Sequence, residues 1–319
     1  MHAILTVIFI GFVIILASCN SGQTTSNTVA ETVTPVAKTI VRSESSPSIQ
    51  ATITPTPPLQ ATSSPTPLLQ ATPSPTPPLQ ATATGPRQRS TIRWNSDKNG
   101  DWMPNQTPPD CGSIEKLFQI FPLDVKALTQ FARPGRSGDG NTIYIGHGSL
   151  RADNSIYSDV EVRFPAEGFS LAHVNRRLES YINSGEEQVK LEFIHPCGVL
   201  VRLDHLTGLS DRWASIIGKV PLLTDNSQIT FLPQNVHYVD PGEILSAGIG
   251  HPTNTYLDFG VYDLRTKNNI ASFIANDWPD YRGTADYGVC WSSFFGETVA
   301  SILSNLPAGS NPSSDYCVN

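Results

Sequence analysis

The chain has 319 residues, with 21 Lys and Arg against 28 Asp and Glu and a formal net charge of −7. No basic stripe and no interleaving of basic with aromatic residues is present, which argues against nucleic acid as a partner. No polybasic patch offers attraction to an anionic membrane surface either.

Residues 3–16 are nearly all Ile, Leu, Val and Phe. That is long enough for the core of a signal peptide but short of the roughly 20 apolar residues that span a bilayer. Leu16-Ala17-Ser18-Cys19 closes the run. A pair of small residues before a cysteine, directly after such a core, resembles a bacterial lipobox. The resemblance implies cleavage before Cys19 and lipid on its sulfur, because a thiolate is the soft nucleophile that a lipid donor alkylates. On this reading residues 1–18 are a signal peptide. Lipid on Cys19 then anchors an extracytoplasmic protein to the membrane. An ordinary secretory signal or a short membrane anchor is the alternative.

Residues 19–89 hold almost no large apolar residue and many Thr, Ser, Pro, Gln and Ala. A decapeptide repeats within them, as ITPTPPLQAT over 53–62, SSPTPLLQAT over 63–72 and PSPTPPLQAT over 73–82. Such a composition buries too little apolar area to offset the entropy of ordering it, and proline keeps it extended. Seventy residues of this kind reach on the order of 200 Å fully extended and roughly 50 Å as a coil. The segment reads as a disordered stalk, and it leaves roughly 230 residues, 90–319, for one sizeable core.

Where the stalk enters this domain, Asn95, Asp97, Asn99, Gly100 and Asp101 reproduce the alternating oxygen donors and the turn glycine of a calcium loop. Gln106 stands where such a loop normally closes with Glu, so a plain Asn/Asp/Gly turn is the competing reading. Further along, helices are expected from Ser113, with its hydroxyl as cap, over 210–218, and over 293–306, where Pro307 stops the last. Strands are expected over 142–146, 156–164, 188–195, 199–204, 228–232, 243–249 and 255–261, short runs rich in β-branched or aromatic residues. Residues 169–184 fit either period. The fold class is mainly β, a β-sandwich or hybrid β domain with a few peripheral helices.

With Cys19 set aside, Cys111, Cys197, Cys290 and Cys317 remain. An even count in an oxidising compartment suggests two disulfides, with three pairings open. Cys111–Cys197 with Cys290–Cys317 is the expected one. Closing the second loop would stabilise by about 3–4 kcal/mol on the chain-entropy account. The other reading of Cys197 is a catalytic cysteine beside His195. No Cys-x-x-Cys pair marks a zinc cluster.

Four short motifs follow in order: Val162-Arg163-Phe164-Pro165-Ala166-Glu167-Gly168; Val201-Arg202-Leu203-Asp204-His205-Leu206; Val239-Asp240-Pro241-Gly242-Glu243-Ile244-Leu245; and Tyr256-Leu257-Asp258-Phe259. In this order they resemble the lysostaphin-type zinc endopeptidases, over about residues 144–263. The resemblance implies a duplicated-hybrid-motif β domain. In that family zinc is held by a His, an Asp four residues later and the second His of His-x-His, and three such ligands leave a position for an activated water. Here His147 takes the first position, Arg151 stands at the second with Asp153 the nearest carboxylate, and Tyr256 and Asp258 replace the His-x-His pair. His205 matches the assisting His before Leu. A guanidinium in a ligand's place repels a dication.

Two readings stay open. One is a catalytically degenerate envelope lipoprotein that binds or supports peptidoglycan or a cell-envelope protein. The other is a zinc metallopeptidase acting on peptidoglycan cross-bridges or extracellular peptides. In the second, His147, Asp153 and Asp258 hold the metal while His205 and Tyr256 act as acid, base or oxyanion partners. Arg265 pairs with Asp263 or Asp258, or lines a groove beside His205. His173, His195, His237 and His251 match no site pattern and read as structural.

Overall fold

In a computed structural model the described residues are 92–138, 141–179, 185–224, 227–278, 283–309 and 312–317. The expected signal peptide, Cys19 and the repeat-bearing stalk lie outside them. Among the described residues no helix is long and apolar enough to cross a membrane.

The domain is mainly β. A hairpin of β1 (Trp94–Ser96) and β2 (Trp102–Pro104) comes first. Next are β3 (Gln130–Ala132), a second hairpin of β4 (Arg136–Gly138) and β5 (Ile143–Ile145), β6 (Gly148–Arg151) and β7 (Val162–Arg163). Three long strands follow: β8 (Ser170–Leu178), β9 (Glu187–His195) and β10 (Val199–Leu209). After α1 (Asp211–Ile217) come β11 (Ile244–Ile249), β12 (Tyr256–Asp263), α2 (Ala271–Asp277) and α3 (Gly296–Asn305). One antiparallel sheet of eight strands, β3-β6-β12-β10-β11-β7 with β9 joined to β10 and β8 to β9, organises the whole.

The central strands alternate, and each face has its own fate. Val189, Leu191 and Phe193 of β9, Val199, Val201 and Leu203 of β10, and Leu257, Phe259 and Val261 of β12 point to one side, into the main core. There Phe193 lies 4.6 Å from Phe164 and 5.4 Å from Trp213, and Phe259 lies 4.7 Å from Trp291, ring centre to ring centre. Burying each such side chain contributes about 1.5–3 kcal/mol. On the other face Ile194, Leu200 and Tyr262 pack under Trp94 of the first hairpin. The rest of that face is polar.

Both expected disulfides form, Cys111–Cys197 and Cys290–Cys317. Several local expectations are corrected. Within the stretch that fits both periods, residues 170–178 form β8, because pairing with β9 decides it, and 180–184 lie outside the described residues. Of 156–164 only β7 is regular, since Asp159 N–H turns back onto Ile156 O before the chain reaches it. Residues 228–232 form no strand but touch β8 through one Phe231–Val174 bridge. The helix after Ser113 is a single 3-10 turn, Ile114–Leu117, and the Ser113 hydroxyl makes no capping bond. The last helix is shorter than 293–306, running from Gly296 to Asn305.

The Asn95–Asp101 segment is the turn of the first hairpin. Asp97 Oδ1 accepts the backbone N–H groups of Asn99 and Asp101 at 2.8 and 2.9 Å, and Asp101 pairs with Lys267. These carboxylates serve the hairpin and Lys267, which is what the turn reading requires.

Candidate functional site

β10 carries the main irregularity of the sheet. Through Asp204 it pairs with β12, and from Leu206 onward it pairs with β11 instead. Its register against β9 also slips between Leu203 and Leu206. His205 sits at this changeover with a left-handed φ of +68°. A non-glycine residue there costs on the order of 1–3 kcal/mol, and bulges of this kind re-aim a side chain.

A buried ionic frame holds the bulge. Asp204 Oδ1 accepts the His205 backbone N–H at 2.8 Å. The same oxygen accepts from Arg177 Nη1 at 2.9 Å, and Oδ2 accepts from Arg202 Nη2 at 2.8 Å. Arg177 is 1% exposed and also donates to Asn175 Oδ1 at 3.0 Å and Glu179 Oε2 at 3.3 Å. Burial alone would raise the Asp204 carboxyl, but the charges of His205, Arg202 and Arg177 outweigh it and hold the group far below the carboxylate range.

Gln188 fixes the ring itself. Its amide Nε2 donates to Gly250 O at 2.8 Å, so Oε1 is turned toward His205 and accepts from Nδ1–H at 2.5 Å. Nε2 of His205 is thereby left facing Tyr256 Oη at 3.0 Å and Asp258 Oδ2 at 3.4 Å. Burial, with Asp258, Asp204 and Glu179 nearby, raises the Tyr256 phenol above its ordinary value. Tyr256 therefore stays protonated, with its Oη 3.0 Å from each nitrogen of the imidazole. Gly250 closes the corner with φ +66°, and a Cβ there would meet Asn254 O and Tyr256 N.

His147 comes from the residue just before β6. Its Nε2 lies 2.9 Å from Asp258 Oδ2. Burial pushes this imidazole below its ordinary value; Asp258 opposes that, while Arg202 and Arg136 reinforce it. It is neutral near pH 7 and donates Nε2–H. Burial works against an ionised Asp258, but the attraction and hydrogen bonds of His147 and His205 hold its carboxyl well below 3.8. Asp258 thus sits as an anion between two imidazoles. The side chains of His147, His205 and Asp258 keep 17%, 12% and 13% of their exposure, so solvent reaches the cluster.

The structure therefore brings together His147, His205, Tyr256 and Asp258, from three separated stretches of sequence. Asp153 is left outside. It lies in the turn after β6, and its carboxylate is held by Arg151 at 2.6 Å and Thr129 Oγ1 at 2.9 Å. Arg265 is not in the groove: it grips Asp263 through two bonds of 2.7 Å and touches Cys111. The expected three-ligand set of His147, Asp153 and Asp258 does not assemble: His147 and Asp258 meet, while Asp153 is tied to Arg151. Among the described residues, the only three His, Cys, Asp or Glu ligand atoms within 4.8 Å of one another belong to Cys111, His195 and Cys197, two of them joined as a disulfide.

The polar frame was not legible in the sequence. Asn175 and Arg177 on β8, Gln188, Lys190 and Glu192 on β9, and Arg202 on β10 alternate with core residues, which normally marks a solvated face. Here that face is covered. Trp102 stacks edge-on near His173 at 6.1 Å, and residues 227–229 arch over β8, where Ser227 O and Ile229 O both accept from Asn175 Nδ2 at 2.7 Å. Gln228 Oε1 reaches Lys190 Nζ at 3.2 Å. The one available signal was Arg202-x-Asp204 directly before His205.

What fold and site define together is an antiparallel β domain with a covered polar face and a His–Asp–His–Tyr cluster at a strand bulge. Compared with protein-family models, curated proteins and solved structures, the chain matches none.

Proposed function

We propose that this is an exported, lipid-anchored envelope protein whose β domain is a catalytically degenerate relative of the lysostaphin-type endopeptidases. It binds peptide-bearing wall polymer, peptidoglycan, without cutting it. The observation that carries this reading is the 2.9 Å contact between His147 Nε2 and Asp258 Oδ2. These residues take two of the family's metal positions and satisfy each other, while Arg151 takes the third. The charges of Arg202 and Arg136, which bear on His147, supply the positive field a metal would have supplied. Tyr256 and His205, ring centres 4.3 Å apart, then offer an aromatic surface to a ligand.

The test is metal analysis of the purified protein after equilibration with zinc, together with sedimentation on isolated peptidoglycan. Less than a tenth of an equivalent of zinc, with co-sedimentation that weakens on Tyr256→Ala, is expected. The meeting of His205 and Tyr256 beside the His147–Asp258 pair favours a second reading, the zinc peptidase. One zinc per chain, lost on His147→Ala or Asp258→Ala and accompanied by release of wall peptides, would establish that reading and overturn the first.

A further inference from the structure

The turn between β9 and β10 holds a second cluster, separate from the His147–Asp258 site. Gly198 N–H closes this turn onto His195 O at 2.9 Å, and the turn carries Cys197, fully buried and bridged to the partly exposed Cys111. The His195 ring folds back over it. Nδ1 accepts the Cys197 backbone N–H at 3.2 Å, so it presents a lone pair, and it lies 2.8 Å from Cys197 Sγ. The ring is packed edge-on to Phe169 at 5.3 Å and closes over Gly168, where a Cβ would come within 2.6 Å of Nε2. On the other sulfur, Arg265 Nη1 donates to Cys111 Sγ at 3.3 Å while Asp263 fixes the rest of its guanidinium. Glu167 also faces His195, and Asp110 faces Arg265. Among the described residues the other bridge has no such cation or imidazole in contact: the side-chain contact at Cys290 Sγ is a hydroxyl, Ser292 Oγ, at 3.5 Å.

A disulfide exchanges readily when its departing sulfur is stabilised as a thiolate and its other sulfur is reachable. A cation beside one sulfur and a proton-accepting imidazole beside the other meet that condition. We propose that Cys111–Cys197 is a thiol–disulfide exchange site for a dithiol reductant, with His195 and Arg265 stabilising its thiolates, while Cys290–Cys317 is purely structural. One thiolate of the reductant attacks Cys111 Sγ. The Cys111–Cys197 bond breaks, and its electron pair leaves on Cys197 Sγ beside His195 Nδ1, which takes up the proton that the attacking thiol gave up. The second thiol of the reductant then gives up its proton and attacks the mixed disulfide. The reductant departs as a disulfide, and Cys111 is released beside Arg265. Two electrons pass from the dithiol to the protein; one proton is held on His195, and the second goes to solvent, leaving Cys111 a thiolate beside Arg265. Exchange unlatches the segment before Cys111, whose Trp94 Nε1–H is bonded to Pro196 O at 3.0 Å on the same turn.

The test is graded treatment of the full protein with dithiothreitol, alkylation of freed thiols, and peptide mass spectrometry, with circular dichroism on the same samples. Cys111 and Cys197 are expected to label at least tenfold faster than Cys290 and Cys317 while the β spectrum persists. His195→Gln and Arg265→Gln should each slow their labelling several-fold and leave the other pair unchanged. Both bridges opening together, Cys290–Cys317 opening first, or labelling only as the spectrum collapses would overturn the proposal. The comparison of two bridges in one wild-type molecule stands even if a variant fails to fold.

Discussion

Arg177→Met tests the claim that a buried ionic frame holds the His205 bulge. The guanidinium is 1% exposed and serves Asp204, Asn175 and Glu179 at 2.9–3.3 Å. Methionine keeps much of the volume but leaves Asp204, which is 2% exposed, with Arg202 as its remaining ion-pair partner, and leaves Glu179 buried beside it. Removing one partner of a buried pair costs about 3–5 kcal/mol. Against a total stability of about 5–15 kcal/mol for a folded domain, that is about a fifth or more. With a urea dependence of about 2–3 kcal/mol per molar, the midpoint should fall by roughly 1–2 M. Adding Asp204→Asn removes the stranded charge while keeping an oxygen for the His205 N–H, so the double variant should recover part of the loss. Urea unfolding followed by circular dichroism measures all three proteins. A midpoint shift below about 0.3 M for Arg177→Met, or no recovery in the double variant, would show that the bulge does not lean on this frame.

Two further outcomes follow from the same structure. Replacing Cys290 and Cys317 by serine opens a loop whose ends are 27 residues apart, and thermal or urea unfolding should show a loss of about 3–4 kcal/mol; a loss under 1 kcal/mol would mean that the tail is held by its hydrogen bonds, Ser314 Oγ to Pro134 O and Tyr316 Oη to Ala285 O among them. Stability should also fall in two stages on acidification. His147, His195, His237 and His251 all sit below their ordinary value, with burial the chief cause. The unfolded chain therefore takes up protons that the folded chain refuses, beginning near pH 6.5. Asp204 and Asp258 are held low in the folded state, so their contribution is complete above about pH 4 and is lost below it. Urea midpoints measured at pH 7.5, 5.5 and 3.5 should step down twice, and a flat profile between the first two would contradict neutral buried imidazoles.

Sequence pattern alone was enough for the β class, for α1, for the long strands β9 and β12 and for the start of β10. Their apolar residues recur every second position, and that period survives any tertiary setting. The family resemblance, rather than any period, singled out His147, His205, Tyr256 and Asp258, and Asp153 with them. Short strands such as β3 and β6 escaped notice because three or four residues, with Gly148 and Ser149 among them, carry no usable period. Whether Asp153 joins the cluster, that residues 170–178 pair as a strand, and whether Gln188, Lys190 and Arg202 meet water or protein were decided only by packing. An alternating strand specifies two faces but not what lies over the second one. That depends on the first hairpin and on residues 227–229, whose approach is a matter of long-range contact. The left-handed turn at His205 belongs to the same category, since it exists because β10 changes partners there and Asp204 is braced from a strand 27 residues earlier.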